Sequence, residues 1–275
     1  MMNRSCRQWR SIFLVSLAAT LLLLVGFGYA VQDIVNPKLP PAAPAGPQAA
    51  IERQPGLKDA NEIRITALGD SLTKGTGDST GTGYVKAVVS GLKEGLPPGK
   101  TVSLINNLAI NGLRADQLSK RLASDRGFRY ALQQSNLILL TIGGNDLFQY
   151  AQGARRTPVP GQLDSESLSK QLPEGLARLK LVFKELNAIN PMAKIVYVGL
   201  YNPFYDVPQL RSSSKQVQAW NEGAYALMEP YPNMMMVPTF DLFEGRIADY
   251  LSSDHFHPNH EGYKQIASRI VQSVR

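Results

Sequence analysis

Ser71, at the end of the segment IRITALGDS over residues 63–71, has the chemistry of a nucleophile. Alone, a serine after a strand reads as a turn residue or a helix cap. All three histidines lie at the far end of the chain, in DHFHPNHEGY, as His255, His257 and His260, with Asp254 ahead of them. A spacing of three brings Asp254 and His257 to one side of a turn or first helical turn. There Asp254 can hold the imidazole tautomer while His257 takes the Ser71 proton. His255 then points elsewhere, and His260 caps or packs against the closing helix. The competing reading is a metal site built from His255, His257, His260 and Asp254, because HxHxxH is a ligand pattern. No second histidine cluster is present to complete it.

Further polar residues follow apolar stretches: Asn107, Asn111, Gly112, Asn145 and Tyr201. Gly112 suits either close approach to a substrate or plain turn geometry. Asn145 suits either donation to a ligand or satisfaction of nearby backbone groups. Asp70 and Asp146 read as organisers of their local turns. The glycines of KGTGDSTGTG, residues 74–83, lack the order of a phosphate-binding loop and read as a flexible rim. Residues 147–166 form a long link, expected to be part of a lid, in which Phe148 and Tyr150 can meet an acyl chain or sugar. Arg155 and Arg156 read as solvated loop residues. In YNPFYDVPQLRSSS, residues 201–214, Tyr201, Phe204 and Tyr205 either wall a pocket or pack the loop.

The elements needed to position these groups alternate. Apolar strand candidates begin at Ile63 and span 102–109, 136–146, 194–200 and 234–240. Helical patterns cover 83–95, 114–124, 168–189, 215–229 and 260–273. Such alternation predicts a mostly parallel sheet with helices on both faces, which places ligands outside the carboxyl ends of the strands.

The 275 residues contain 29 Lys and Arg against 22 Asp and Glu, with 44% hydrophobic residues. That excludes a globally disordered chain, and a single cysteine, Cys6, excludes a disulfide scaffold. Arg4, Arg7 and Arg10 precede an uncharged apolar run over residues 11–31. This predicts an N-terminal membrane anchor or signal peptide over residues 1–32, with Gly28 and Ala30 suited to cleavage after Ala30. Prolines at 37, 40, 41, 44, 47 and 55 mark residues 33–62 as a linker. The folded domain is expected over 63–275, in the cell envelope of a bacterium, anchored facing outward or secreted. Without the leader arginines the remainder is only mildly basic, and no dense basic patch with interleaved aromatics points to nucleic acid.

Four blocks in order, GDSL at 69–72, Asn111-Gly112, GGND at 143–146 and DHFHPNHEGY at 254–263, resemble the SGNH hydrolases, or GDSL esterase/lipase family. The resemblance runs from Ile63 to the end of the chain. It implies a three-layer α/β/α sandwich of the flavodoxin-like kind with a mostly parallel five-stranded sheet. It also implies Ser71 as nucleophile, His257 as general base and then acid, Asp254 as its partner, and Gly112 and Asn145 in the oxyanion hole. The activity implied is ester hydrolysis through an acyl-enzyme, on a small-molecule, lipid or glycan ester, with no metal or organic cofactor. Acyl transfer or carbohydrate O-deacetylation with the same residues, or a non-catalytic tethered binding protein, are the alternatives. The membrane is a partner through the N-terminal segment, and oligomeric state is left open.

Overall fold

Five short segments pair side by side and in parallel: β1 (Glu62–Gly69), β2 (Thr101–Asn107), β3 (Leu137–Thr141), β4 (Lys194–Val198) and β5 (Met234–Val237). Their order is β2-β1-β3-β4-β5. Every β3 residue is buried, as expected of a strand covered on both faces. β2 is an edge strand and is largely exposed toward its end.

The computed structural model describes residues 4–35, 57, 60–153, 165–208 and 210–275. The chain divides into two units, residues 1–52 and 53–275. In the first, α1 (Arg4–Val35) is one helix that runs past the boundary expected at residue 32. Among the described residues no helix is long and apolar enough to cross a membrane, so the anchor read from sequence finds no support there. Most of the proline-rich linker lies outside the described residues.

The second unit carries α2 (Ser71–Lys74), α3 (Gly83–Glu94), α4 (Ala115–Ser124), α5 (Arg126–Gln133), α6 (Gly144–Gly153) and α7 (Ser165–Ile189). After β4 come α8 (Ser214–Met228), α9 (Phe240–Phe243), α10 (Ile247–Tyr250) and α11 (His260–Val274). Tyr84, Val88 and Leu92 of α3 and Tyr263, Ile266 and Ile270 of α11 pack on one face of the sheet with Ile65, Leu139 and Val196. Leu118, Leu122, Phe183 and Trp220, from α4, α7 and α8, pack on the other with Ile138, Leu140 and Ile195. Alternate residues of β3 thus feed two separate cores. Each fully buried Leu, Val, Ile or Phe is worth about 1.5–3 kcal/mol of transfer free energy before entropy is counted. The result is the expected three-layer α/β/α sandwich.

Several stretches depart from the sequence reading, the short α2, α9 and α10 among them. α5 was not expected, although Asp125 caps it by accepting from the Gly127 and Phe128 amides, and Phe128, Ala131 and Leu132 form its buried stripe. The stretch read as a long link from residue 147 is helical up to Gly153, because α6 starts within the GGND turn. The readings for the side chain of Tyr150 and for Arg155 and Arg156 fall outside the described residues.

Candidate active site

Ser71 sits where β1 stops. Gly69 has φ +142°, and a Cβ there would collide with the backbone of Thr141, so the turn can approach β3 only with glycine. The Asp70 amide donates to the Thr141 carbonyl at 3.1 Å. The Asp70 carboxylate in turn accepts from the Leu72 amide at 3.1 Å and the Thr141 hydroxyl at 2.8 Å. Beneath it, the Thr73 hydroxyl lies 2.7 Å from both the Tyr84 and Thr141 hydroxyls. Burial pushes the Asp70 carboxyl above its ordinary range, against the lowering effect of these hydrogen bonds. The bonds fix the backbone on which Ser71 begins α2, so Asp70 organises the turn as expected.

His257 reaches this serine from the other end of the chain. Its Nε2 is 2.8 Å from Ser71 Oγ, and its Nδ1 is 2.7 Å from Asp254 Oδ2. Asp254 Oδ1 accepts from the Ser252 hydroxyl at 2.8 Å and from the Phe256 and His257 amides at 2.9 Å each. Burial works against ionisation of Asp254, but the His257 side chain and these donors outweigh it and hold its pKa at about 2. An ionised carboxylate only accepts, so Nδ1 carries the hydrogen and Nε2 is left to accept the serine proton. The turn itself is clamped by Ser252 N donating to His257 O at 2.8 Å and by the Leu251–Pro258 bridge. Asn259 then caps α11 by accepting from Gly262 N at 3.0 Å.

The glycine-rich stretch 74–83 supports that turn rather than forming the flexible rim expected of it. Gly77 (φ +95°) lies directly against His257 and Pro258. Thr76 O accepts from the Tyr263 hydroxyl at 2.7 Å. Asp78, fully buried at its side chain, accepts from the Gly83 amide, the Thr80 amide and the Thr80 hydroxyl, each at 2.8 Å. His260 Nδ1 faces Asp78 at 3.3 Å and Thr80 Oγ1 at 3.1 Å, so His260 ties α11 to this loop in addition to starting the helix. His255 is exposed, with φ 52°. The three histidines thus have three different surroundings. No group of three or more metal-ligating side chains occurs among the described residues. The signal for the loop's role was the D-S-T-G sequence at 78–81, in which the aspartate bonds the backbone two residues on.

Backbone pairing brings the segment before Gly112 alongside the serine turn, and the Asn145 side chain meets the residue after it. Leu108 N donates to Ala67 O at 2.7 Å and Ile110 N to Gly69 O at 2.9 Å, carrying the chain from β2 alongside the serine turn. The exposed turn at Asn111 and Gly112 follows, with Gly112 at φ +75° and Asn111 Oδ1 accepting from the Thr76 hydroxyl at 3.2 Å. Asn145, at the start of α6, donates from Nδ2 to Leu113 O at 2.9 Å. Asp146 accepts from Ala115 N at 2.8 Å, and Arg178 stands 3.6 Å from its other oxygen. The dipeptide Asn145-Asp146 therefore grips both sides of the segment after Gly112.

Ser71 and Asn145 open onto one cavity of about 420 Å³, mouth included, lined also by Phe148, Leu200, Tyr201 and Phe256. It lies beyond the carboxyl ends of β1 and β3. Between those neighbours the chain reverses direction across the sheet, where parallel α/β folds bind their ligands. Phe148 and Tyr201 therefore do line a pocket, and Phe204 packs behind Phe148 with ring centroids 5.6 Å apart. Tyr205 stacks instead under the guanidinium of Arg211, at 5.3 Å.

A parallel α/β/α sandwich with a serine, a histidine and a carboxylate in one hydrogen-bond chain at its strand ends has the construction of a hydrolase. Residues 67–265 match the GDSL-like Lipase/Acylhydrolase family, and the chain belongs to it: it is an ester-cleaving hydrolase. It is similar to the uncharacterized protein YpmR of Bacillus subtilis (strain 168), 31% identical over 79% of this chain and 84% of that one. It is also similar to the spore germination lipase LipC of Bacillus licheniformis, 27% identical over 76% of this chain and 94% of that one. Among solved structures, a lipase, Lip_vut3, from a goat rumen metagenome shares the fold. Its TM-score is 0.65 at 24% identity, over 77% of this chain and 97% of the other.

Proposed function

We propose that the chain is a serine esterase that cleaves carboxylic esters through a covalent acyl-enzyme on Ser71. Ser71 Oγ attacks the ester carbonyl while its proton passes to His257 Nε2. Asp254 stabilises the imidazolium and keeps Nδ1 protonated. The negative oxygen formed at the carbonyl carbon is met by the Ser71 and Gly112 amides and the Asn145 side-chain amide. The alcohol departs with the proton from His257. Water then enters, gives a proton to Nε2 and attacks the acyl carbon, and the acid leaves as Ser71 recovers its hydrogen.

The observation that carries this reading is the 2.8 Å approach of His257 Nε2 to Ser71 Oγ with Asp254 2.7 Å behind the ring. The substrate class it favours is a lipid or glycan ester, with the lipase name of a relative supporting the first. The test is Ser71→Ala in purified protein, read by ester turnover and by labelling with a fluorophosphonate. Loss of both with the fold intact supports the assignment, and unchanged turnover removes it. Arg4, Arg7 and Arg10 ahead of an apolar run support delivery of the domain to the outer side of a bacterial membrane, by anchor or cleaved leader. Cell fractionation with N-terminal sequencing of the mature chain tests that.

A further inference from the structure

The cavity beside Ser71 is narrow and its walls are braced. Of its volume of about 420 Å³ most is open mouth, and the enclosed part is only about 20 Å³, far below the usual range for ligand pockets. Thr141 and Val198, the last residues of β3 and β4, bound it on the sheet side, and both are buried. Phe148 and Tyr201 are also buried, at 2% and 5% exposure, and so have little room to swing aside. Phe148, Phe204 and Phe256 come from three separate segments and pack ring against ring, with centroids 5.6, 6.3 and 6.1 Å apart. The Tyr201 hydroxyl donates to the Phe256 carbonyl at 2.7 Å, which holds the third ring in place. Phe256 also meets the His257 ring edge-on at 5.1 Å. Moving this cluster to admit a long chain would therefore disturb the residue next to the proposed base.

We infer that the cavity is an acyl pocket closed by Phe148 and Phe256, with Phe204 bracing both rings from behind, and that it restricts the enzyme to esters of short acids, no longer than butyryl. The inference rests on the Ser71 acyl-enzyme reading. The apolar lining meets the first carbons of the acid, and the alcohol portion stays at the mouth, where its size is not limited by these rings.

The test uses full-length protein and p-nitrophenyl esters of acetic, butyric, octanoic and lauric acid. The wild type should lose at least about tenfold in kcat/KM between butyryl and octanoyl, in line with the effect of a few methylenes against a fixed wall. Phe204→Ala and Phe148→Ala should each raise the octanoyl-to-butyryl ratio by about tenfold. Thermal melts show whether each variant folds. Should the deeply buried Phe148 variant fail, the half-buried Phe204 variant carries the test. A wild type that cleaves octanoyl as well as butyryl overturns the inference, as do folded variants with unchanged ratios. Those results leave the nucleophile assignment standing. A wild type that cleaves no ester of the series and takes no phosphonate on Ser71 overturns both.

Discussion

A β-carbon added to Gly77 would stand 2.8 Å from the Cβ of His257 and 2.6 Å from the carbonyl oxygen of Pro258. Neither neighbour is the end of a flexible side chain. The backbone of Gly77, at φ +95°, is also one that an alanine rarely adopts. Gly77→Ala must therefore shift the turn that carries the imidazole. A misplacement of about 1 Å costs on the order of 10² in rate. The variant should lose about that much in kcat and label more slowly at Ser71 with a fluorophosphonate. Tyr84 and Tyr263, in the core nearby, should keep their near-UV circular dichroism. A variant with wild-type kcat would show that the loop does not position His257.

Asp254→Asn separates charge from shape. The amide oxygen can take the place of Oδ1, which accepts from Ser252, Phe256 and His257. The NH2 then replaces Oδ2 opposite Nδ1, where an acceptor is needed. The ring is driven to the tautomer with hydrogen on Nε2, which cannot accept from Ser71. The equivalent change in a well-studied serine protease lowers kcat by about 10⁴, and a loss of that order is expected here, measured by initial rates under saturating substrate. The acid limb of stability should change as well. A carboxyl whose folded pKa is depressed to about 2 stabilises the fold above its ordinary value of 3.8, and that contribution is lost as pH falls through about 2. Acid unfolding curves should show this segment in the wild type and not in the variant.

The sandwich was legible because its strands are nearly unbroken apolar runs and its helices carry one-sided stripes. Leu179, Phe183 and Leu186 of α7 are examples that ended up buried on one face. Ser71, His257 and Asp254 were legible as candidates through the ordered blocks GDSL, Asn111-Gly112, GGND and DHFHPNHEGY, since the residues alone left turn and metal readings open. The supporting residues were not. Gly77 shows its purpose only when the last turn of the chain folds against it. Asp78 and His260, 182 positions apart, meet only through tertiary packing. α6 was hidden because the glycines that open it look like a loop, and α5 because it spans only two turns between polar residues.

Asn145 tests the proposed oxyanion site. Its Nδ2 lies beside the serine turn and also donates to Leu113 O, so the side chain is oriented before any ester arrives. Preorganised donors of this kind act mainly on the transition state. Asn145→Ala should lower kcat by about 10²–10³ while KM changes little. Loss of the Leu113 hydrogen bond should separately cost about 1 kcal/mol in stability, readable by urea denaturation. A variant that loses stability but keeps kcat would make Asn145 a purely structural residue.

Asp146 should make the fold less stable as pH rises from 3.8 through about 6. Its side chain is fully buried. Burial pushes its pKa up to about 6, against the hydrogen bond from Ala115 and the attraction of Arg178. A folded pKa above the unfolded 3.8 means that the native state holds the proton more tightly. The benefit is complete below pH 3.8 and is lost as pH rises through about 6. Each tenfold difference in proton affinity between the folded and unfolded chain is worth about 1.4 kcal/mol, so the loss is roughly 3 kcal/mol. Asp146→Asn keeps an oxygen for the Ala115 amide and has no charge to bury. Urea unfolding of both proteins at acid and at mildly alkaline pH should show the variant gaining on the wild type by that order as pH rises. Other titrating groups are common to the two proteins and cancel in the difference. A stability difference that does not vary with pH would mean that Asp146 is ionised in the fold at no cost, with Arg178 compensating its burial in full.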